Sequence, residues 1–90
     1  MISIEQLKAA RALLRWDQAA LAEHAGVAIS TVKRIEARPG LIQSNTRTAW
    51  QLQKAVEDAG IEFIEDDGVK GAGVRLNTSA ASAAIAPGEK

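Results

Sequence analysis

The chain has 90 residues, of which 47% are apolar and 24% charged, and its formal net charge is zero. This length and composition predict a single small globular domain with a thin core. The sequence contains no cysteine, which excludes disulfides, thiolate metal sites and cysteine nucleophiles. It contains one histidine, His24. We therefore expect no bound metal, no cofactor and no enzymatic activity.

The neutral total conceals two halves of opposite charge. Residues 1–54 contain eight basic and four acidic side chains, whereas residues 55–90 contain three basic and seven acidic ones. A binding partner responds to the charges nearest to it, so a neutral total is compatible with a local basic face. The division predicts a basic working surface in the first half and a different role for the second.

The sequence shows no sign of membrane insertion or export. No apolar run approaches the roughly 20 residues that span a bilayer. The first residues also lack the basic-then-apolar pattern of a signal peptide. We expect a cytoplasmic protein without membrane contact.

Four helices are predicted in chain order, over about residues 4–14, 18–25, 29–37 and 46–59. Their apolar residues recur at helical spacing. Side chains that cap helices precede three of these segments and a glycine follows two of them: Ser3, Asp17, Asn45 or Thr46, Gly26 and Gly60. The third helix is expected to stop before Pro39, because proline cannot continue a helix.

After residue 60 the helical period ends. Residues 61–65 and 73–76 predict two short strands, and the turn-rich residues 66–72 predict the loop of a hairpin between them. Residues 1–76 are thus expected to form one mainly helical domain with a C-terminal β-hairpin. Residues 77–90 have few large apolar side chains and predict a disordered tail.

The two tryptophans have different expected environments. Trp16 follows the first helix and is predicted to lie in the core, with His24 on the surface of the second helix. Trp50 lies about 160° from Leu52 on the wheel of the fourth helix, so it points away from the apolar stripe. Two interpretations of Trp50 remain open: it packs beneath the hairpin or a loop, or it belongs to an interface.

Residues 18–37 have the pattern of two short helices that cross at a tight turn. Ala22 is small enough for a close crossing, and Gly26 permits a left-handed turn. The inward positions of such a pair are all apolar: Leu21, Ala25, Val27, Val32 and Ile35. Seven matches at fixed offsets strongly favour a helix-turn-helix.

On these residues the chain resembles the XRE-type regulators, which are helix-turn-helix proteins of the phage-repressor and Cro family. The resemblance covers Leu7 to about Ala59 and is carried by four strings: Trp16-Asp17-Gln18, Leu21-Ala22, Ala25-Gly26-Val27 and Arg34-Ile35-Glu36. It implies a four-helix helix-turn-helix bundle in which a hairpin replaces the fifth helix, as in small bacterial members. It also implies a transcriptional regulator, a repressor, that binds double-stranded DNA as a homodimer.

The resemblance implies a role for individual residues. Ile29, Ser30 and Arg34 would face base edges in the major groove, with residues 29–37 as the recognition helix. Phosphate contacts are implied for Gln18, Lys33, Arg38, and Arg15 or Arg47. Gln18 is also implied to contact the recognition helix. An internal ion pair between Arg11 and Glu36 is implied to tie the first helix to the third.

Two residues depart from the family pattern. Ala28 stands where a serine or threonine cap is usual, which removes about 1 kcal/mol from the recognition helix. Arg15 stands where glycine is common, and a left-handed arginine costs about 1 kcal/mol. Neither departure is expected to prevent folding.

A second function stays open on the same fold. The acidic second half, the outward Trp50, the zero net charge and the missing cap at Ala28 favour a protein-binding adaptor or antiactivator that sequesters another regulatory protein. Dimer contacts are expected at Trp50, Phe63 and Ile64. The sequence shows no site for a small-molecule ligand.

Overall fold

The computed structural model describes residues 2–77, which form four helices followed by a two-stranded antiparallel sheet. In chain order the elements are α1 (Ile4–Leu14), α2 (Gln18–Ala25), α3 (Ile29–Glu36), α4 (Thr46–Asp58), β1 (Ile61–Ile64) and β2 (Gly73–Leu76). The predicted mainly helical fold with a C-terminal hairpin is confirmed. The sequence predicts disorder for residues 77–90. Of these, only Asn77 lies within the described residues.

The helix starts are held by the side chains that the sequence suggested. Ser3 Oγ accepts the backbone N–H of Gln6 at 3.0 Å, and Gln6 Oε1 accepts the backbone N–H of Ser3 at 2.9 Å, which is a capping box. Asp17 Oδ1 accepts the N–H of Ala20 at 2.8 Å. Asn45, rather than Thr46, caps α4.

The core lies where the four helices meet. Its fully buried side chains come from every helix: Ile4, Leu7, Leu21, Val32, Leu52 and Val56. Ile61 of β1 is also buried, so the hairpin extends the core. Trp16, predicted in the core, is only partly buried: it packs against the core, and its ring stacks on that of His24 at 4.0 Å.

The sheet pairs Ile61 with Leu76 and Phe63 with Val74. Successive side chains of a strand point to opposite faces, so Ile61 and Phe63 face the helices while Ile64 faces outward. The amide of Gln6 joins the hairpin to α1, because its Nε2 donates to the carbonyls of Ile64 and Gly73 at 3.3 and 3.0 Å. No signal in the sequence predicted this contact.

Candidate nucleic-acid interface

The turn between α2 and α3 is closed by its own backbone. Gly26 ends α2 with φ of +72°, in the left-handed region that favours glycine. The N–H of Val27 donates to the carbonyl of Ala22 at 3.0 Å, which satisfies a carbonyl at the end of α2. Ala22 is buried, as a close crossing requires. The structure therefore has the tight turn that the sequence indicated, with a small buried residue one turn before it.

One side of α3 faces the core and the opposite side faces solvent. Val32, Ile35 and Glu36 are buried. Four other residues are exposed and lie within an arc of about 140° on the helical wheel: Ile29, Ser30, Lys33 and Arg34. We call these four residues the exposed α3 face. The three residues expected to meet base edges, Ile29, Ser30 and Arg34, thus lie on one open surface.

The exposed α3 face is basic. Lys33 and Arg34 have no side-chain partner within residues 2–77. The acidic residue of α3, Glu36, is buried and bound to Arg11. Beyond the helix, Arg38 donates from Nη1 to Gln43 Oε1 at 3.2 Å and lines, with Arg34, a shallow pocket of about 140 Å³. The positive charges of this face therefore point to solvent without internal compensation.

A buried ion pair fixes the orientation of α3 against α1. Arg11 donates to both carboxylate oxygens of Glu36, from Nη2 at 2.7 Å and from Nε at 2.9 Å. The Glu36 side chain is 1% exposed. These bonds to Glu36 raise the pKa of Arg11 above its ordinary value. The structure thus contains the pair that the resemblance implied.

Gln18 has a more specific place than the sequence suggested. Its Nε2 donates to Glu36 Oε1 at 3.0 Å, so its side chain joins α2 to the same buried carboxylate. The side chain is half-buried, and its backbone lies at the positive N-terminus of α2. A phosphate contact by Gln18 could use the backbone N–H or the second hydrogen of the side-chain amide, since only one is bound to Glu36.

The departures from the family pattern are visible in the backbone. Ala28 is extended at the start of α3 and has no side-chain cap bond. Arg15 is left-handed, with φ of +60°, at the end of α1. Arg15 and Arg47 are both exposed and have no side-chain partner within the described part of the chain. They lie outside α3, on α1 and on the first turn of α4.

The three residues expected at a dimer contact differ in exposure. Trp50 is 58% exposed, which rules out packing beneath the hairpin or a loop. Phe63 is half-buried against the core, so only part of its side chain is accessible to a partner. Ile64, which is 37% exposed, lies on the outer face of the sheet because neighbouring strand residues alternate.

No protein-family model matches the chain, and a search of the curated proteins gives no match. Within residues 2–77, no group of three or more histidine, cysteine or acidic side chains is placed to hold a metal ion. No helix in this part of the chain is long and apolar enough to cross a membrane. The features of the chain that indicate a function are the geometry and charge of α2 and α3.

Proposed function

We propose that this protein is a sequence-specific DNA-binding regulator of transcription, with α3 as the recognition helix of a helix-turn-helix. The observation that supports this most is the exposed α3 face. It presents two unpartnered cations, Lys33 and Arg34, opposite the buried Val32 and Ile35. A short helix with this distribution fits the major groove of B-DNA, where side chains on one side reach base edges.

The side chains of this face divide between base edges and phosphates. The guanidinium of Arg34 has the paired donors that match the O6 and N7 acceptors of guanine. Ile29, which is 40% exposed, offers methyl groups to a thymine methyl, and Ser30 can donate or accept. Lys33 of this face and Arg38, which follows α3, would bind phosphates. The N-terminus of α2 and Arg15 or Arg47 would contact phosphates further out.

A homodimer is part of the proposal. One small module covers too little DNA for strong specificity, and two modules bind half-sites about one helical turn, or 34 Å, apart. Binding of this kind at a promoter would block transcription, so repression is the form of regulation we propose.

The experiment is a gel-shift titration with the DNA upstream of the gene, at two salt concentrations. The proposal expects affinity to fall steeply with salt, because bound phosphates release counterions. Arg34→Ala should cost about 1–3 kcal/mol on the specific site and relax its sequence preference. Lys33→Ala should weaken specific and non-specific DNA alike and lower the salt slope by about 1.

Lys8→Ala is the matched control, because Lys8 is exposed on α1 and likewise lacks a partner within residues 2–77. It should leave the binding curve unchanged. An unmodified protein that fails to bind DNA at low salt, or that binds with a flat salt response, would contradict the proposal.

A second function is favoured by one observation, the 58% exposure of Trp50. A large aromatic side chain in solvent is typical of a protein interface. In this alternative the fold sequesters another transcriptional regulator. Loss of partner binding in Trp50→Ala, with unchanged binding in Arg34→Ala and Lys33→Ala, would favour the adaptor over the DNA-binding protein.

A further inference from the structure

Basic and aromatic side chains form a solvent-exposed stripe along α4. Arg47, Trp50 and Lys54 lie within about 60° of one another on the wheel, on the side opposite the buried Leu52 and Val56. Lys54 Nζ lies 5.7 Å from the centre of the Trp50 ring, a cation–π distance. We call Arg47, Trp50 and Lys54 the α4 stripe. Its chemistry suits a partner that presents carboxylates beside an apolar side chain.

The ion pair that Lys54 makes leaves its charge available to a binding partner. Its Nζ lies 3.4 Å from Asp58 Oδ1, but both side chains are at least half exposed. Such a surface pair is weak and readily exchanges partners. Arg47 has no partner at all within residues 2–77. Both cations of the α4 stripe are therefore available to a binding partner.

The hairpin loop carries the complementary chemistry. Glu65, Asp66 and Asp67 are consecutive and exposed, and Val69 is 89% exposed beyond them. We call residues 65–69 the hairpin tip. Its acidic residues are followed by a single basic one, Lys70, so the loop is acidic overall.

The hairpin tip has a defined shape. Asp66 Oδ1 accepts the N–H of Gly68 at 2.7 Å, and Asp67 Oδ1 accepts those of Val69 and Lys70 at 2.9 and 2.7 Å. Each aspartate uses one oxygen for these bonds, and the second oxygen makes no hydrogen bond within residues 2–77. The loop therefore presents ordered carboxylates around Val69.

A groove of about 370 Å³ is lined by Gln53 of α4, by Glu65 and Asp66 of the hairpin tip, and by Phe63. Gln53 directly precedes Lys54 in the chain and follows Trp50 by about one helical turn. The groove therefore connects the hairpin tip to the part of α4 that carries the α4 stripe.

From this arrangement we infer that two copies of the chain associate about a two-fold axis through this groove, with each hairpin tip against the α4 stripe of the other copy. Val69 would lie on the Trp50 ring, and the tip carboxylates would pair with Arg47 and Lys54. A second copy is the occupant because this chain carries both complementary surfaces, and a two-fold dimer forms the contact twice. The inference rests on the dimeric form of the proposed function.

The exposed α3 face takes no part in this contact and stays free for DNA. Arg47, in contrast, contacts the other copy in this dimer. Of the two alternatives for the outlying phosphate contact, Arg15 and Arg47, Arg15 therefore remains. Sedimentation of the full chain without DNA consequently tests the dimer separately from DNA binding.

The test reverses charge on each surface in turn. The stripe variant is Arg47→Glu with Lys54→Glu, and the tip variant is Asp66→Lys with Asp67→Lys. The wild-type chain should dimerise, with a Kd that rises with salt. Each variant alone should raise the dimer Kd roughly tenfold or more, because like charges then face each other in both contacts.

An equimolar mixture of the two variants should restore dimerisation. In the mixed dimer every contact again joins a positive surface to a negative one. Recovery in the mixture also shows that both variants are folded. Trp50→Ala and Val69→Ser, which alter no charge, should each raise the Kd as well.

The control is Lys8→Glu, which reverses an exposed charge on α1 outside both surfaces. It should keep the wild-type Kd. The inference is overturned if the wild-type chain is monomeric at high micromolar concentration, if both reversed variants dimerise normally, or if their mixture stays monomeric. Its failure would leave the Arg34-dependent gel shift intact, whereas failure of DNA binding would leave the sedimentation result intact.

Discussion

At the scale of single residues, Glu36 is the side chain that connects most of the fold to the proposed interface. It lies on α3, and its carboxylate is bound by Arg11 of α1 and Gln18 of α2. Burial of a charge is costly unless the charge is paired, so these three side chains must stay together. Because α3 also carries the exposed α3 face, the same bonds orient the residues proposed to meet DNA.

We predict that Glu36→Ala destabilises the protein by about 3 kcal/mol, because Arg11 loses its buried counter-charge. Urea unfolding followed by circular dichroism measures this. The double variant Arg11→Ala with Glu36→Ala should cost less than the sum of the two single variants. Glu62→Gln, which alters the exposed pair between Glu62 and Arg75, is the control and should have no measurable effect. Equal effects of Glu36→Ala and Glu62→Gln would contradict this role.

The resemblance implied the pair of Arg11 and Glu36 and a contact of Gln18 with the recognition helix, but it did not indicate that Gln18 binds the Glu36 carboxylate. A family pattern indicates which charges face each other, whereas a side-chain amide has several rotamers within reach of different partners. The stacking of His24 on Trp16 was missed for a similar reason. It depends on how the loop after α1 places the indole at the core edge, which no local pattern encodes.

At the scale of elements, the helices were predictable because their signals are local. A cap side chain such as Asp17, a stop such as Gly26 and the apolar period all act within a few residues. The predicted C-terminal ends of α3 and α4, at residues 37 and 59, lie one residue beyond the observed ends. The reason is that Ala37 and Ala59 are the C-caps of these helices. The attachment of the hairpin was not predictable, since Gln6 contacts residues 58 and 67 positions away.

A two-stranded sheet is marginal alone, so the hairpin depends on its contacts with the helices. We predict that Gln6→Ala costs about 1–2 kcal/mol and accelerates amide hydrogen exchange in β1 and β2 more than in α3. Gln53→Ala is the matched control, because its amide bonds only the exposed Glu57. Uniform acceleration in all elements would indicate that Gln6 supports the whole fold and not the hairpin in particular.

The hairpin tip should respond to acid. The N–H groups of Lys70 and Val69 donate to the Asp67 carboxylate and lower its pKa below the ordinary value of 3.8. The ionised form therefore stabilises the folded loop above pH 3.8, and this contribution is lost as the pH falls through the lowered pKa. NMR shifts of the Val69 and Lys70 amides should report a transition below pH 3.8 that disappears in Asp67→Ala. A midpoint above 3.8 would contradict the proposed bonds.

At the scale of the whole molecule, opposite charges occupy different elements. The sequence predicted a basic first half and an acidic second half, and the structure places the basic Lys33 and Arg34 on the exposed α3 face and the acidic run on the hairpin tip. Gln53, which precedes Lys54 of the α4 stripe, lines one groove together with Glu65 and Asp66 of that acidic tip. This juxtaposition depends on how the hairpin folds back on α4, so it could not be predicted from charge counts along the chain.

The central claim is that the exposed α3 face binds double-stranded DNA. Amide NMR of the full chain, titrated with a duplex from the DNA upstream of the gene, tests it most directly. We predict that the largest shift changes occur at residues 28–34 and at the backbone N–H of Gln18, with little change at the Trp50 indole. Changes centred on the α4 stripe or the hairpin, with α3 unaffected, would contradict the claim, as would the absence of any change at low salt.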